Sequence, residues 1–241
     1  MAWPLLLPLL TLAATAVQQG PPAPPREVER HRMVGGFERV RIEGPFDVEM
    51  TTGAPNVTLV GPPLALDGVA VRVEANTLVI DTGTTGWQRR TREIGGPVKI
   101  RVAAMGVRTL LAKGGARIHA SGLTGTRLDL ALDGAGSLDV DGIRGDQLVA
   151  THTGTGPMRL AGVAGRARIL GYGTAAVDAS GLRADEAVLV WQSTGDLTID
   201  VRYAAQVANN GQGLVTVIGK PECRVGGTGR AVCAGVARQT R

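Results

Sequence analysis

A repeat of about twenty residues constrains the fold of this chain more than any other feature of its sequence. Short runs in which apolar and polar residues alternate flank glycine-led pairs that recur at intervals of 20, 20 and 19 positions: Gly122-Leu123, Gly142-Ile143, Gly162-Val163 and Gly181-Leu182. Alternation with a period of two is typical of half-buried strands. A fixed period of this length indicates stacked coils, because one coil alone cannot bury its apolar face.

Aligning the repeats places like residues in columns. One column reads Leu128, Leu148, Ala167, Ala187 and Val207, and the next reads Leu130, Ala150, Ile169 and Leu189. Glycine-rich turns such as DGAGS and TGTGP recur at one place in each coil, where the chain must reverse direction. The pattern predicts an all-β parallel solenoid, regular over residues 116–219 and looser before them, with a hairpin at residues 74–76. The alternative is an antiparallel β-sandwich with a hairpin every ten residues.

The first 33 residues predict export. An apolar stretch over residues 5–16 is too short to span a bilayer and ends in Ala14-Thr15-Ala16, a pattern that signal peptidase accepts, although no basic residue precedes it. We therefore expect a signal peptide at residues 1–16, with an uncleaved membrane anchor as the alternative. The Pro-rich residues 17–33 predict a flexible linker before a folded domain at residues 34–236. No later segment is apolar enough for a membrane helix, so the mature chain is expected in the periplasm or outside the cell.

Nearly all of the folded domain resembles a known family. FERVRIEGPFDVEM, NVTLVGP and VRVEANTLVID, followed by the glycine-rich coils and the ending VIGKPECRVGGTGRAVC, are similar to the putative autotransporter adhesin head GIN domain. The resemblance implies an exported, single-stranded right-handed parallel β-helix without an established biochemical activity. It extends from Phe37 to about Cys233. No translocating barrel follows the coils, so display on the cell surface does not follow from the family name.

Cys223 and Cys233 are the only cysteines. In an exported chain two cysteines predict a disulfide, here one that clips a C-terminal hairpin over the open end of the solenoid. Two cysteines without a nearby histidine do not suggest a metal site. We expect neither a metal nor a cofactor.

Charge and composition favour an anionic partner other than nucleic acid. The formal charge is +5, but the basic residues are scattered and aromatic residues make up only 3% of the chain. The segment from Gly83 to Gly96 interrupts the strand rhythm and contains Trp87, Arg89, Arg90 and Arg92. A tryptophan beside three arginines suits contact with an acidic polysaccharide or a surface protein. The alternative is a solvated insertion whose tryptophan packs on the solenoid.

The sequence predicts no enzyme. Neither a G-x-S-x-G elbow nor a nucleotide-binding loop is present, and we place His152 at a coil edge. Outward aspartates could line an acidic strip that serves a glycosidase or Ca²⁺, or could simply keep the strands soluble: Asp129, Asp133, Asp139, Asp141, Asp178 and Asp196. The alternative function is a polysaccharide lyase or hydrolase, for which Tyr172, Trp191 and Tyr203 are the aromatic residues on the later coils.

Overall fold

The computed structural model describes residues 27–83 and 98–239, which form a β-solenoid. These described residues contain one short helix, α1, and eighteen strands. Their bounds are β1 Val28–Arg32, β2 Arg39–Glu43, β3 Asp47–Thr52, β4 Asn56–Gly61, α1 Pro63–Leu66, β5 Val69–Glu74, β6 Thr77–Thr82, β7 Lys99–Ala104, β8 Thr109–Gly114, β9 Arg117–Ser121, β10 Thr124–Gly134, β11 Ser137–Gly154, β12 Met158–Gly173, β13 Val177–Ser193, β14 Leu197–Asn209, β15 Val215–Gly219, β16 Glu222–Gly226, β17 Ala231–Cys233 and β18 Val236–Gln239.

The pairings divide the coils into two stacks of strands. Sheet 1 runs β1-β4-β7-β3-β9 and continues through the first parts of β11 to β14 to β15 and β17. Sheet 2 runs β5-β6-β2-β8 and continues through β10 and the second parts of β11 to β14 to β16 and β18. Every pairing beyond the N-terminal end is parallel, so the predicted solenoid of stacked parallel coils is confirmed.

Each long strand passes from one sheet to the other, and the pairing with the next coil is irregular at or near the corner. In β11, residues 137–141 pair with β9 in sheet 1, and the residues after Gly142 pair with β10 in sheet 2. Gly142 has φ of +67°, a left-handed conformation that an L-residue adopts only at a cost. The recurring glycine-led pairs of the sequence therefore mark the corner between the two sheets.

The coil length matches the sequence period over the middle of the molecule and shortens toward its C-terminal end. Leu138 pairs with Met158, Met158 with Val177, and Val177 with Leu197, whereas the next step, to Val215, is 18 residues. The first aligned column is therefore continued by Ala205, and Val207 belongs to the second column beneath Leu189. Its assignment from the sequence was wrong because the alignment assumed a constant period.

Aligned apolar side chains fill the space between the sheets. The column that begins at Leu128 is buried throughout, with no member more than 3% exposed, and so is the column of Leu130, Ala150, Ile169, Leu189 and Val207. Burial of apolar area contributes roughly 25 cal/mol per Å². Since neighbouring coils stack these side chains on one another, the core is continuous along the solenoid axis.

The N-terminal coils do not stack in chain order. β2 lies between β6 and β8, and β3 lies between β7 and β9. The coil that comes first in the chain is therefore inserted between two coils that come later. Antiparallel strands end both sheets here, β1 and β4 in sheet 1 and β5 in sheet 2. The predicted hairpin at residues 74–76 is confirmed: β5 and β6 meet at Ala75 and Asn76, both at positive φ.

β1 corrects the predicted linker. Residues 28–32, placed in the linker from the sequence, pair antiparallel with β4 as the outermost strand of sheet 1. Arg30 donates to Asp67 at 2.7 Å, and His31 Nδ1 lies 3.1 Å from the Thr58 hydroxyl. A charged edge strand needs only one face to pack, so its composition resembles that of a linker. The predicted signal peptide and residues 17–26 lie outside the described residues.

The C-terminal end corrects a second prediction. The disulfide between Cys223 and Cys233 is present, but β16 and β17 do not form a hairpin. β16 continues sheet 2 and β17 continues sheet 1, each parallel to its neighbour. The disulfide therefore joins the two sheets across the last coil. Among the described residues, no helix is long and apolar enough to cross a bilayer.

Candidate functional site

The basic segment that the sequence analysis proposed as a binding site lies outside the described residues. Trp87, Arg89, Arg90 and Arg92 fall within residues 84–97, outside the described residues. The chain leaves β6 at Gly83 in sheet 2 and re-enters at Val98 before β7 in sheet 1. The four residues thus fall between β6 and β7 in the chain, and their role stays a prediction.

The outward aspartates do not form one strip. Asp139, Asp141 and Asp178 lie on sheet 1, whereas Asp129 and Asp133 lie on sheet 2. Asp196 lies in a turn, where its Oδ1 accepts a hydrogen bond of 2.8 Å from the amide of Leu214. The corner at Gly142 separates the two groups. As predicted, Asp139 and Asp141 share one strand and one face.

The outer face of sheet 1 carries a charged hollow of about 480 Å³. This charged hollow is lined by Asp47, Val48, Glu49, Lys99, Ile100, Arg101, Arg117, Ile118, His119, Ser137 and Asp139. Opposite charges alternate from coil to coil within it. Arg117 Nε donates to Asp47 at 2.6 Å, and this hydrogen bond raises the pKa of Arg117 above its ordinary value. Arg101 Nε lies 3.9 Å from Glu49.

His119, Asp139 and Asp141 converge beside this hollow. His119 of β9 is in register with Asp139 of β11, and its Nε2 lies 3.9 Å from Asp141 Oδ2. One side-chain donor atom from each of the three residues lies within 4.8 Å of the other two. We call these three residues the His-Asp-Asp cluster. The sequence analysis did not predict this cluster.

Arg159 borders the cluster on its C-terminal side. Its guanidinium lies between two carboxylates, with Nη1 3.7 Å from Asp139 and Nε 3.8 Å from Asp178. Asp178 also accepts from the hydroxyl and the amide of Ser180, and these hydrogen bonds lower the pKa of Asp178. Asp178 therefore remains a carboxylate partner for Arg159 over a wide pH range.

Polar side chains inside the solenoid correct the expected place of two residues. His152 and Trp191 are both fully buried in one inward column of sheet 2, which runs Leu132, His152, Gly171, Trp191 and Asn209. His152 is thus no coil-edge residue. Each polar side chain donates to the carbonyl four positions later: His152 to Gly156 at 2.6 Å, Trp191 to Gly195 at 2.8 Å and Asn209 to Gly213 at 2.9 Å. These side chains hold the turns and do not face a ligand.

The surface aromatic residues lie away from the charged hollow. Tyr172 is half-buried on sheet 2, in register with Thr153 and Gln192. Tyr203 is 55% exposed, with the guanidinium of Arg202 over its ring at 4.7 Å. Neither tyrosine lines the charged hollow. Trp191 is fully buried and therefore cannot stack on a sugar.

The C-terminal end of the solenoid is basic and unbalanced. Residues 203–239 carry one carboxylate, Glu222, and four exposed cations: Lys220, Arg224, Arg230 and Arg238. Along the rest of the described chain most charges are paired between neighbouring coils, the last pair being Arg202 with Asp185 at 4.0 Å. Within the described residues none of the four cations has an ion-pair partner. We call these four residues the basic end.

Comparison with known proteins identifies the family and supports the fold. A family described as putative auto-transporter adhesin, head GIN domain, matches residues 36–221. No protein with a curated function matches the chain. The chain is similar to a solved putative adhesin from Bacteroides fragilis, with 19% identity, TM-score 0.71, and coverage of 89% of this chain and 97% of that one.

Two further solved structures share the architecture. A putative lipid binding protein from Parabacteroides distasonis has 14% identity and a TM-score of 0.59, over 89% of this chain and 97% of that one. A putative adhesin from the same organism has 12% identity and a TM-score of 0.53, over 90% of this chain and 98% of that one. At these identities the likeness shows a common fold. The family match covers most of the solenoid, and the chain therefore belongs to the putative auto-transporter adhesin head GIN domain family.

Proposed function

We propose that this chain is a non-catalytic contact module of the bacterial envelope, which binds acidic polysaccharide through the basic end of its solenoid. The observation that carries the proposal is the basic end itself, four exposed and unpaired cations against one carboxylate. A polyanion gains favourable Coulomb energy there without first breaking an ion pair. Over most of the solenoid body a polyanion would have to compete with carboxylates already paired to the arginines, and the unpaired arginines there are isolated from one another in the sequence.

Export is part of this proposal. Family membership, the disulfide and the predicted signal peptide at residues 1–16 all agree with an oxidising compartment, either the periplasm or the cell exterior. The solenoid would then hold the binding end on a rigid support. Arg89, Arg90 and Arg92 between β6 and β7 remain a second candidate for contact with such a partner, on the ground of their sequence alone.

Three variants that each remove three positive charges test the proposal. The first is Arg224→Ala/Arg230→Ala/Arg238→Ala at the basic end, and the second is Arg89→Ala/Arg90→Ala/Arg92→Ala in the loop. The matched control is a triple alanine variant of exposed arginines on the solenoid body that form no ion pair with another described residue: Arg39, Arg144 and Arg168. All three change the net charge equally, so a difference between them reports the location of binding and not the overall charge.

Binding is measured by co-sedimentation with polygalacturonate beads, with neutral dextran beads as the blank. We expect binding that weakens as salt rises, because screening shortens the range of the attraction. The basic-end variant should lose about tenfold or more in affinity, and the body variant should change little. An equal loss of affinity in all three variants would show that binding depends only on net charge. That result would overturn the assignment of binding to the basic end.

A second arm uses anionic vesicles, because one structural relative is described as a putative lipid binding protein. We expect weaker binding to phosphatidylglycerol vesicles than to the polysaccharide. Binding to vesicles alone would overturn the polysaccharide assignment. Loss of polysaccharide binding only in the loop variant would move the site to residues 84–97.

A further inference from the structure

We propose that His119, Asp139 and Asp141 form a zinc-binding site on the outer face of sheet 1. The three side chains lie on adjacent strands, β9 and β11, whose parallel pairing fixes their backbone positions. One donor atom from each lies within 4.8 Å of the others. The site lies apart from the basic end and does not depend on the proposed polysaccharide binding.

The distance between His119 and Asp141 is close to the spacing of two ligands on one zinc ion. Tetrahedral zinc with bonds of about 2.0–2.1 Å places its ligand atoms about 3.3 Å apart. His119 Nε2 and Asp141 Oδ2 are 3.9 Å apart, so each has to move by only a few tenths of an ångström. The side chains of His119 and Asp141 are 53% and 54% exposed, which leaves room for that movement. Their strands sit within the continuous ladder of sheet 1 and do not need to shift.

The donor set favours zinc over the common hard cations. Ca²⁺ and Mg²⁺ take oxygen ligands almost exclusively, whereas imidazole with carboxylates suits Zn²⁺ and its neighbours among the divalent transition metals. Three protein ligands leave a fourth position for water or for a donor from a partner. Two carboxylates and a neutral imidazole would also balance the charge of a divalent ion.

The surrounding charges permit such an ion. Arg159 is the nearest cation, but it bridges Asp139 and Asp178, so it can withdraw to Asp178 when Asp139 turns to the metal. Arg117 on the same strand as His119 is held by Asp47 at 2.6 Å. Glu49 pairs in register with His119 on the other side and adds negative charge next to the site. Arg159 and Arg117 therefore each keep a carboxylate partner when the ion binds.

Isothermal titration of the metal-free, tag-free protein with zinc chloride tests the proposal. We expect one zinc ion per chain, with affinity falling at acidic pH because the metal requires a neutral imidazole. His119→Ala, Asp139→Asn and Asp141→Asn should each weaken binding by about tenfold or more. All three residues lie on the surface, so circular dichroism should show folded variants.

Matched controls separate this site from general attraction. His31→Ala removes another exposed histidine, and Asp133→Asn removes an exposed carboxylate on sheet 2; both should bind zinc like the parent protein. Equal weakening by His31→Ala, or zinc binding unchanged by all three cluster variants, would refute the site. A second titration uses calcium chloride at millimolar concentration. Calcium binding that matches zinc and ignores His119→Ala would refute the zinc assignment.

Discussion

The contact between Gly171 and Trp191 gives the sharpest test of the solenoid interior. A Cβ atom at residue 171 would lie 2.0 Å from Cζ3 and 2.3 Å from Cε3 of the Trp191 ring in the next coil. The ring is fully buried and donates to the Gly195 carbonyl at 2.8 Å. It therefore cannot withdraw without giving up both its packing and its hydrogen bond.

Gly171→Ala should lower the free energy of unfolding by about 2–4 kcal/mol. Overpacking a dense core costs about 1–3 kcal/mol. Displacement of the indole adds about 1–3 kcal/mol if its buried N–H loses the carbonyl, and partial relaxation makes the sum smaller than the two maxima. Gly125→Ala is the control, since its Cβ would meet its nearest neighbour at an ordinary 3.5 Å. That change should stay within about 0.5 kcal/mol.

Urea unfolding followed by far-ultraviolet circular dichroism measures both variants with the disulfide intact. The decisive comparison repeats Gly171→Ala in a Trp191→Leu background, where the smaller side chain leaves space for the new methyl group. We expect the cost of the alanine to fall below about 1 kcal/mol, a coupling of about 2 kcal/mol between the two sites. The same cost in both backgrounds would show that the indole is not what requires a glycine at position 171.

Three further measurements test the ends and the surface of the molecule. Replacement of Cys223 and Cys233 by serine should lower the stability by about 2–3 kcal/mol, because the short loop is no longer closed in the unfolded chain, and urea unfolding with and without reductant checks this. Asn209→Ala should cost about 2 kcal/mol, since the side-chain amide loses its hydrogen bonds to the buried Gly213 carbonyl and to the Arg230 carbonyl; an unchanged urea midpoint would contradict this. NMR titration should find the pKa of Asp178 below its ordinary value and rising toward it in Ser180→Ala. A lowered pKa means that this carboxylate stabilises the folded state above about pH 4 and that the contribution disappears at lower pH.

The repeat made most of the fold predictable. Alternation within each run fixed which residues of a strand face the core, and recurrence every twenty positions fixed which residues stack. Both are local properties that a sequence shows directly. The prediction was wrong where the period changed, as at Val207, and it did not extend to the order of the N-terminal coils, where β2 and β3 pair out of chain order. β1 was taken for a linker because edge strands carry the charges of solvent-exposed segments.

The candidate metal site was only half visible in the sequence. Asp139 and Asp141 were predicted to share a face because they lie two residues apart on one strand. A signal for His119 was present as well, since it precedes Asp139 by one 20-residue period. The period alone does not show that the three side chains meet, because the distance between them depends on how β9 stacks on β11. The positions of Trp191 and His152 could not be predicted without the structure. The alternating pattern does not distinguish an inward polar side chain that donates to a turn carbonyl from an exposed one at the edge of a coil.

The sequence by itself determined the repeating unit, the two-residue alternation that sorts core from surface, and the pair of cysteines that closes the end. These follow from the spacing of residues along the chain. Only the tertiary structure decided which coils are neighbours at the N-terminal end, which charges are paired, and which are left free at the basic end. Those outcomes depend on the register between strands far apart in the chain, and local sequence patterns do not specify it.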